Sequence, residues 1–137
     1  MPAKFVDTNI FIRLLTADDK QKAKKCLNLF KKADKKEIIL TTSESVLSEV
    51  VYILSSKKLY NLKRKKIYDL LLPIINIPGL KIDFKNTFIQ ALKIYSEENI
   101  DFEDTLSAAW IKNNKIKQIY SYDKGFDRLK FLKRLEP

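Results

Sequence analysis

The sequence contains no histidine and only one cysteine among its 137 residues. Without histidine there is no Ser-His-Asp or Cys-His catalysis and no imidazole ligand for a metal. A single cysteine likewise excludes an intramolecular disulfide and a cysteine-rich zinc finger. Any catalysis must therefore use carboxylates, hydroxyls, lysines or a metal ion held by oxygen atoms.

Glycine, proline and long apolar segments are also scarce. Two glycines and four prolines leave no room for a flexible linker, and the length suits one domain, which we place at residues 1–137. No apolar run approaches the ~18 residues that span a bilayer, and the N-terminal segment lacks a signal-peptide pattern. We therefore expect a cytoplasmic protein with no membrane partner.

Basic residues outnumber acidic ones by 27 to 17, so the formal net charge is +10. The excess is concentrated in residues 20–36, 57–66 and 112–134, and the first segment holds eight lysines and one acid. Such surfaces attract polyanions. Three interpretations stay open: contact with a nucleic-acid backbone, contact with an acidic protein, or lysine-rich helix faces that only meet solvent.

Apolar periodicity predicts strands that alternate with helices along the whole chain. Strands are predicted at residues 3–7, 37–42, 80–84 and 117–122, with a short edge strand near the C-terminus. Helices are predicted at 8–16, 18–35, 43–56, 62–75, 85–98 and 101–113, with Ser43 as a cap and Cys26 in the core. This alternation predicts a three-layer α/β/α domain with a mainly parallel central sheet.

Four acidic residues occupy positions where a carboxylate needs an explanation. Asp7 ends the first predicted strand and Asp123 follows the last central one, so parallel strands would bring both to the same edge of the sheet. Glu49 lies at the border of an apolar helix face, where an unpartnered charge is costly. Asp104 is expected to be partly buried in the first turn of a helix that Asp101 caps.

Several carboxylates in one cleft repel each other unless a cation lies between them. Mg²⁺ and Mn²⁺ prefer oxygen ligands, activate water and neutralise charge during phosphodiester cleavage. A basic surface around such a notch suits a nuclease. From spacing alone, a metal site and ordinary helix caps both stay possible.

Four segments resemble, in order, the motifs of the PIN-domain ribonucleases, in particular the VapC-type toxins of toxin–antitoxin pairs. They are FVDTNIFIRLL, SEVVYIL, DFEDTLSAA and IYSYDKGFDRL, and they all lie within residues 3–129. The resemblance implies that the acidic quartet of the family, which binds Mg²⁺ or Mn²⁺, corresponds to Asp7, Glu49, Asp104 and Asp123. It also implies supporting roles for Asn9, which orients the site, for the Ser121 hydroxyl, and for Thr8 as a structural hydrogen-bonding residue, while Asp127 is interpreted as structural.

The resemblance further implies a metal-dependent endoribonuclease, the toxin of a type II toxin–antitoxin pair. Metal-activated water would attack the phosphorus of RNA and the 3′ oxygen would leave. The implied partners are the RNA substrate, a cognate antitoxin and a second copy of the chain in a homodimer. We hypothesise that Phe11, Leu15 and Tyr52 help to form partner surfaces, with ordinary core packing as the alternative.

Three other functions stay open. The first is a PIN-fold nuclease that processes RNA outside toxin–antitoxin systems. The second is a non-catalytic RNA-binding module of the same fold, whose acids are structural. The third is an aspartyl-phosphate enzyme or receiver domain. A phosphatase of that type would need a second aspartate two residues after Asp7, where this sequence has Asn9.

Overall fold

The computed structural model describes all residues, Met1–Pro137. Strands and helices alternate as predicted. The elements are β1 (Ala3–Phe5), α1 (Thr8–Thr16), α2 (Lys20–Asp34), β2 (Ile39–Thr42), α3 (Glu44–Ser55), α4 (Arg64–Ile75), β3 (Leu80–Ile82), α5 (Lys85–Glu97), α6 (Phe102–Asn113), β4 (Gln118–Tyr120), a 3₁₀ helix (Lys124–Arg128) and β5 (Lys133–Leu135). The chain divides into two compact units, Met1–Lys85 and Asn86–Pro137. None of the helices has the length and apolar character needed to cross a membrane.

The first unit contains a three-stranded sheet in the order β1-β2-β3. Both pairings are parallel, with Lys4 opposite Leu40 and Leu40 opposite Leu80. The pairing of β1 extends one residue further, because the backbone N–H of Val6 donates to the Thr41 carbonyl at 2.8 Å. Residue 7 is therefore the first residue beyond the paired segment. The sequence predicted a strand that ends at Asp7, and this end is confirmed to within one residue.

The core of the first unit is formed by α1 to α4 against the sheet. Its fully buried side chains include Phe11, Leu40, Leu47, Val50, Val51, Leu54, Ile67, Leu71, Ile75 and Leu80. Cys26 is buried, as predicted. The hypothesis that Phe11 lies on a partner surface is wrong, since it is inaccessible and packs on Phe30 with ring centroids 5.4 Å apart. Tyr52 is exposed and Leu15 is half-buried.

Local chemistry determines where these helices begin. Ser43 caps α3 as predicted, because its Oγ accepts the Val46 backbone N–H at 3.2 Å. Asp19 caps α2 in the same way, accepting from the Lys22 N–H at 3.0 Å. Gly79 precedes β3, and a Cβ atom there would lie 2.2 Å from the Ala33 carbonyl oxygen. Only glycine permits this close approach to the end of α2.

The second unit joins α5 and α6 to a two-stranded parallel sheet, β4 with β5. One cluster in its core consists of Ile100, Ala108, Ile111, Phe126, Leu129 and Leu132. Phe102 packs edge-on against Phe88 and Tyr95, with ring centroids 5.3 and 5.7 Å away. The predicted C-terminal edge strand is confirmed as β5. The strands are parallel as predicted, but they lie in two sheets, one in each unit, whereas the sequence predicted one central sheet.

Candidate active site

Asp7 occupies the junction between the paired segment of β1 and helix α1. It is the N-cap residue of α1, with extended backbone angles (φ −87°, ψ 167°), but its side chain accepts no capping hydrogen bond. The carboxylate is exposed. A strand followed at once by a helix thus presents a carboxylate that remains available to bind another group.

Glu49 lies on α3 and is held by a residue of α1. The buried Thr8 donates from Oγ1 to Glu49 Oε2 at 2.9 Å. This contact supplies the partner that the position of Glu49 in the sequence required, and it agrees with the structural role implied for Thr8. Because the donor is a neutral hydroxyl, it orients the carboxylate without cancelling its charge.

A cavity of about 380 Å³ connects these side chains. Asp7, Thr8, Asn9 and Glu49 line it together with Ile12, Arg13, Ile53 and Tyr60. The structure therefore brings together all the predicted site residues of the first unit. Arg13 and Tyr60 were not predicted as site residues from the sequence. The position of Arg13, four residues after Asn9 on the same helix, was a signal that could have revealed it.

Asp104 and Asp123 form a pair of interacting carboxyl groups in the second unit. Asp104 lies in the first turn of α6 and is half-buried, as predicted. Burial and the neighbouring Asp123 carboxyl raise the pKa of Asp104 to about 6, with smaller contributions from Asp101 and Glu103. Asp104 therefore holds a proton more tightly than an ordinary aspartate.

Backbone contacts fix Asp123 in this arrangement. Its Oδ1 accepts the Gly125 N–H at 2.8 Å, and its own N–H donates to the Ser121 hydroxyl at 3.0 Å. Arg134 donates from Nη1 to the Ser121 carbonyl at 3.0 Å and from Nε to Asp127 Oδ1 at 3.0 Å. Ser121 therefore lies beside the last acid as the resemblance implied, and Asp127 has a structural partner.

Asp101 occupies the predicted N-cap position of α6. Its side chain makes no capping hydrogen bond, however, so it acts on the helix start only through its charge. It also raises the pKa of Asp104 by its negative charge. Asp101 is thus part of the negative surroundings of the carboxyl pair.

The carboxylate oxygens of Asp7 and Glu49 in the first unit, and of Asp104 and Asp123 in the second, are of the type that hard divalent cations bind. Burial raises the pKa of Asp104 by disfavouring its ionised form, and the negative charges of Asp123, Asp101 and Glu103 add to the effect. A cation could replace the proton there. The structure contains no group of three or more acidic or cysteine side chains placed to hold a metal ion. A site formed by Asp7, Glu49, Asp104 and Asp123 therefore stays a prediction.

Comparison with known proteins assigns the chain to a family. The PIN domain family matches residues 4–132, and the chain belongs to it. The match confirms the α/β PIN-like fold expected from the four motifs. Over 128 residues, 93% of this chain and 93% of the relative, it is 27% identical to a protein named VapC ribonuclease from Aquifex aeolicus (strain VF5).

A solved structure of the Mycobacterium tuberculosis toxin VapC20, described as cleaving the sarcin–ricin loop, is also similar. It is 20% identical, with 99% of this chain and 100% of that chain covered, and the TM-score is 0.40. At this score the assignment rests on the sequence match alone.

Proposed function

We propose that this chain is an endoribonuclease, the toxin of a type II toxin–antitoxin pair, which hydrolyses RNA with Mg²⁺ or Mn²⁺. Membership of the PIN domain family and similarity to a VapC ribonuclease support an activity on RNA. The observation that carries the proposal is the Asp104–Asp123 carboxyl pair, which the second unit builds from the third and fourth of the four motifs.

The proposed ligands of the metal are Asp7, Asp104 and Asp123, with Glu49 completing the shell or orienting water. When bound, a divalent cation lowers the pKa of water and neutralises negative charge on the phosphoryl oxygens. The chain itself orients the ligands. Thr8 holds Glu49, and the Gly125 N–H holds Asp123. Asn9 lines the cavity with Asp7 and would orient the site. The Ser121 hydroxyl would support the loop that carries Asp123.

The partners follow from the same proposal. RNA is the substrate, and the net charge of +10 favours its approach. A cognate antitoxin would inhibit the enzyme, and a homodimer in the cytoplasm would be the working form. Both units would act as one nuclease domain over residues 1–137, a proposal supported by a family match that covers residues of each.

The decisive experiment combines RNA cleavage with thermal melting. The purified protein is stripped of metal, titrated with Mn²⁺ or Mg²⁺ and incubated with total RNA, beside an EDTA control. We expect cleavage only with metal, together with a higher melting temperature, because a ligand of the folded state stabilises it. RNA binding without cleavage, and no effect of metal on melting, would instead support the non-catalytic binding module.

Toxicity separates the toxin from an RNA-processing enzyme. Expression of the wild-type chain should stop growth, and co-expression of the product of the neighbouring gene should restore it. Growth that is unaffected by an active enzyme would favour RNA processing.

A further inference from the structure

Arg13 is a cationic side chain without an anionic partner in a cavity that also contains two carboxylates. It is half-buried and lines the cavity with Asp7 and Glu49. Lys65, Lys93 and Arg134 form ion pairs with acids elsewhere in the molecule, whereas the Arg13 guanidinium takes part in no hydrogen bond or ion pair. Its five N–H donors are therefore available to a ligand.

The titratable groups near Arg13 do not form an ion pair with it. Asp19 experiences the positive charge of Arg13 only as a minor influence, since the main cause of its lowered pKa is the hydrogen bond from the Lys22 backbone N–H. Cys26 has a raised pKa because of burial, with a small opposing effect from Arg13. A partly desolvated guanidinium in this position favours an anion, and its planar fork suits two oxygens of one phosphate group.

Helix geometry places Arg13 next to the proposed catalytic residues. Asn9 and Arg13 are four residues apart on α1, so they lie on one face and about 6 Å apart along the axis. Asp7 caps the same helix. A phosphate held by Arg13 would therefore lie roughly one helical turn from Asn9. At this distance a single RNA ligand could contact both residues.

Tyr60 adds a flat apolar surface to the same cavity. Its hydroxyl donates to Asp18, which directly follows Ala17, the residue that ends α1 in the left-handed conformation. The contact ties the half-buried ring to the end of α1. An aromatic ring that lines the same cavity as an unpaired arginine suits single-stranded nucleic acid, in which bases stack on aromatic side chains and phosphates pair with cations.

The size of the cavity agrees with a ligand of nucleotide size. Its volume of about 380 Å³ falls within the range of small-ligand pockets, roughly 300–1,000 Å³. An acidic peptide could also pair with Arg13, but it would bring no flat base for Tyr60. The combination of one cation and one aromatic ring therefore favours a nucleotide.

We propose that Arg13 and Tyr60 form a nucleotide subsite: Arg13 binds a backbone phosphate of RNA, and Tyr60 stacks on the adjoining base. This inference rests on the proposed function, because it names how that enzyme would hold its substrate. It assigns substrate-positioning roles to two residues outside the acidic quartet.

The test measures binding of a labelled, mixed-sequence single-stranded oligoribonucleotide in EDTA at several salt concentrations. Arg13→Gln should weaken binding about 10-fold and reduce the slope of log affinity against log salt by about 0.7, the value for one lost phosphate contact on a single strand. Arg13→Lys should keep the slope and recover part of the affinity. The matched control is Lys93→Gln, which removes one exposed positive charge outside the three basic segments and should leave the slope unchanged.

Tyr60 is tested with a second pair of variants. Tyr60→Leu should weaken binding about 10-fold at an unchanged salt slope, because stacking releases no counterions, whereas Tyr60→Phe should retain most of the affinity. In cleavage assays with metal, Arg13→Gln and Tyr60→Leu should raise KM more than they lower kcat. The rise in melting temperature with Mn²⁺ should persist in both.

The outcomes separate this inference from the proposed function. If the wild type neither binds nor cuts RNA, the proposed function fails and the subsite fails with it. If the wild type cuts RNA but Arg13→Gln keeps its affinity, salt slope and KM, only the subsite is overturned. If Arg13→Lys keeps the wild-type salt slope and Tyr60→Phe keeps most of the affinity, while Arg13→Gln and Tyr60→Leu lose them, the subsite is supported even if the latter two variants are less stable.

Discussion

The carboxylates of the two units have opposite surroundings. In the first unit Glu49 is exposed and accepts a hydrogen bond from the neutral hydroxyl of Thr8. In the second unit Asp104 is half-buried and interacts with another carboxyl group, that of Asp123. In the first arrangement a solvent-exposed carboxylate meets a neutral donor. The second needs a proton or a cation, because two like charges held close together with restricted solvation repel strongly.

This difference indicates a division of labour in the proposed enzyme. Repulsion between the carboxylates is stronger in the Asp104–Asp123 pair, so binding of a cation relieves more there. This pair would therefore supply most of the affinity for metal. The cavity with Asp7 and Glu49 is open, and it offers both carboxylates and the cationic Arg13. It is therefore the better candidate for contact with substrate.

The largest expected effect is the loss of RNA cleavage when one carboxylate of either unit is neutralised. Asp104→Asn and Asp7→Asn should each reduce kcat by more than about 100-fold, beyond the 10- to 100-fold typical of groups that only orient a metal ligand. RNA cleavage under single-turnover conditions measures this. Matched controls are Asp69→Asn in α4 and Glu97→Gln in α5, exposed acids that form only i,i+4 ion pairs. Full activity in Asp104→Asn would remove the pair from the mechanism.

The next effect concerns the response of stability to metal. Saturating Mn²⁺ should raise the melting temperature of the wild type at about pH 7.5 and much less at about pH 5, because protons and metal compete for the same carboxylates. The change should follow the pKa of Asp104, which burial and Asp123 raise to about 6. Asp104→Asn should lose most of the response, whereas Glu49→Gln should keep most of it. Equal losses in the two variants would contradict the division between the units.

A smaller effect is expected without metal. The pKa of Asp104 is higher in the folded chain, about 6, than its ordinary value of 3.8, because of burial and the neighbouring Asp123. The folded state therefore binds the proton more tightly, and this advantage is complete below about pH 4 and is lost as pH rises through about 6.

Asp104→Asn resembles the protonated form at every pH. In EDTA it should melt higher than the wild type at about pH 7.5 and at nearly the same temperature at about pH 4. Melting curves across this range measure the effect, with Asp69→Asn as the control. A variant that melts lower at pH 7.5 would show that the carboxylate stabilises the fold.

Local signals in the sequence predicted much of this structure. The parallel strands, the Ser43 cap, buried Cys26 and partly buried Asp104 all follow from periodicity and capping patterns over a few residues. Phe11 was assigned wrongly because its burial depends on a distant residue, Phe30, which packs on it.

The long-range contacts were not predictable in the same way. The hydrogen bond of Tyr60 with Asp18 joins residues separated by 42 positions, and that of Thr8 with Glu49 by 41. Neither pairing leaves a periodic trace, because each depends on how whole helices pack. The four acids could nevertheless be singled out as candidates, since each stands at the start of a helix or on a helix face where its charge is otherwise unexplained.

The smallest effect tests the contact that distinguishes the first unit. Thr8→Val keeps the buried volume but removes the hydroxyl that donates to Glu49 at 2.9 Å, and water can replace it on the exposed carboxylate. The free energy of unfolding should fall by about 1 kcal/mol, the usual net value of one such hydrogen bond. Urea denaturation measures the loss, and Thr8→Ser, which keeps the donor, is the matched variant.

If Glu49 needs this orientation, kcat should fall in Thr8→Val and recover in Thr8→Ser, while the effect of Mn²⁺ on melting stays that of the wild type. Wild-type kcat in Thr8→Val would mean that Glu49 finds its working position in the open cavity without Thr8.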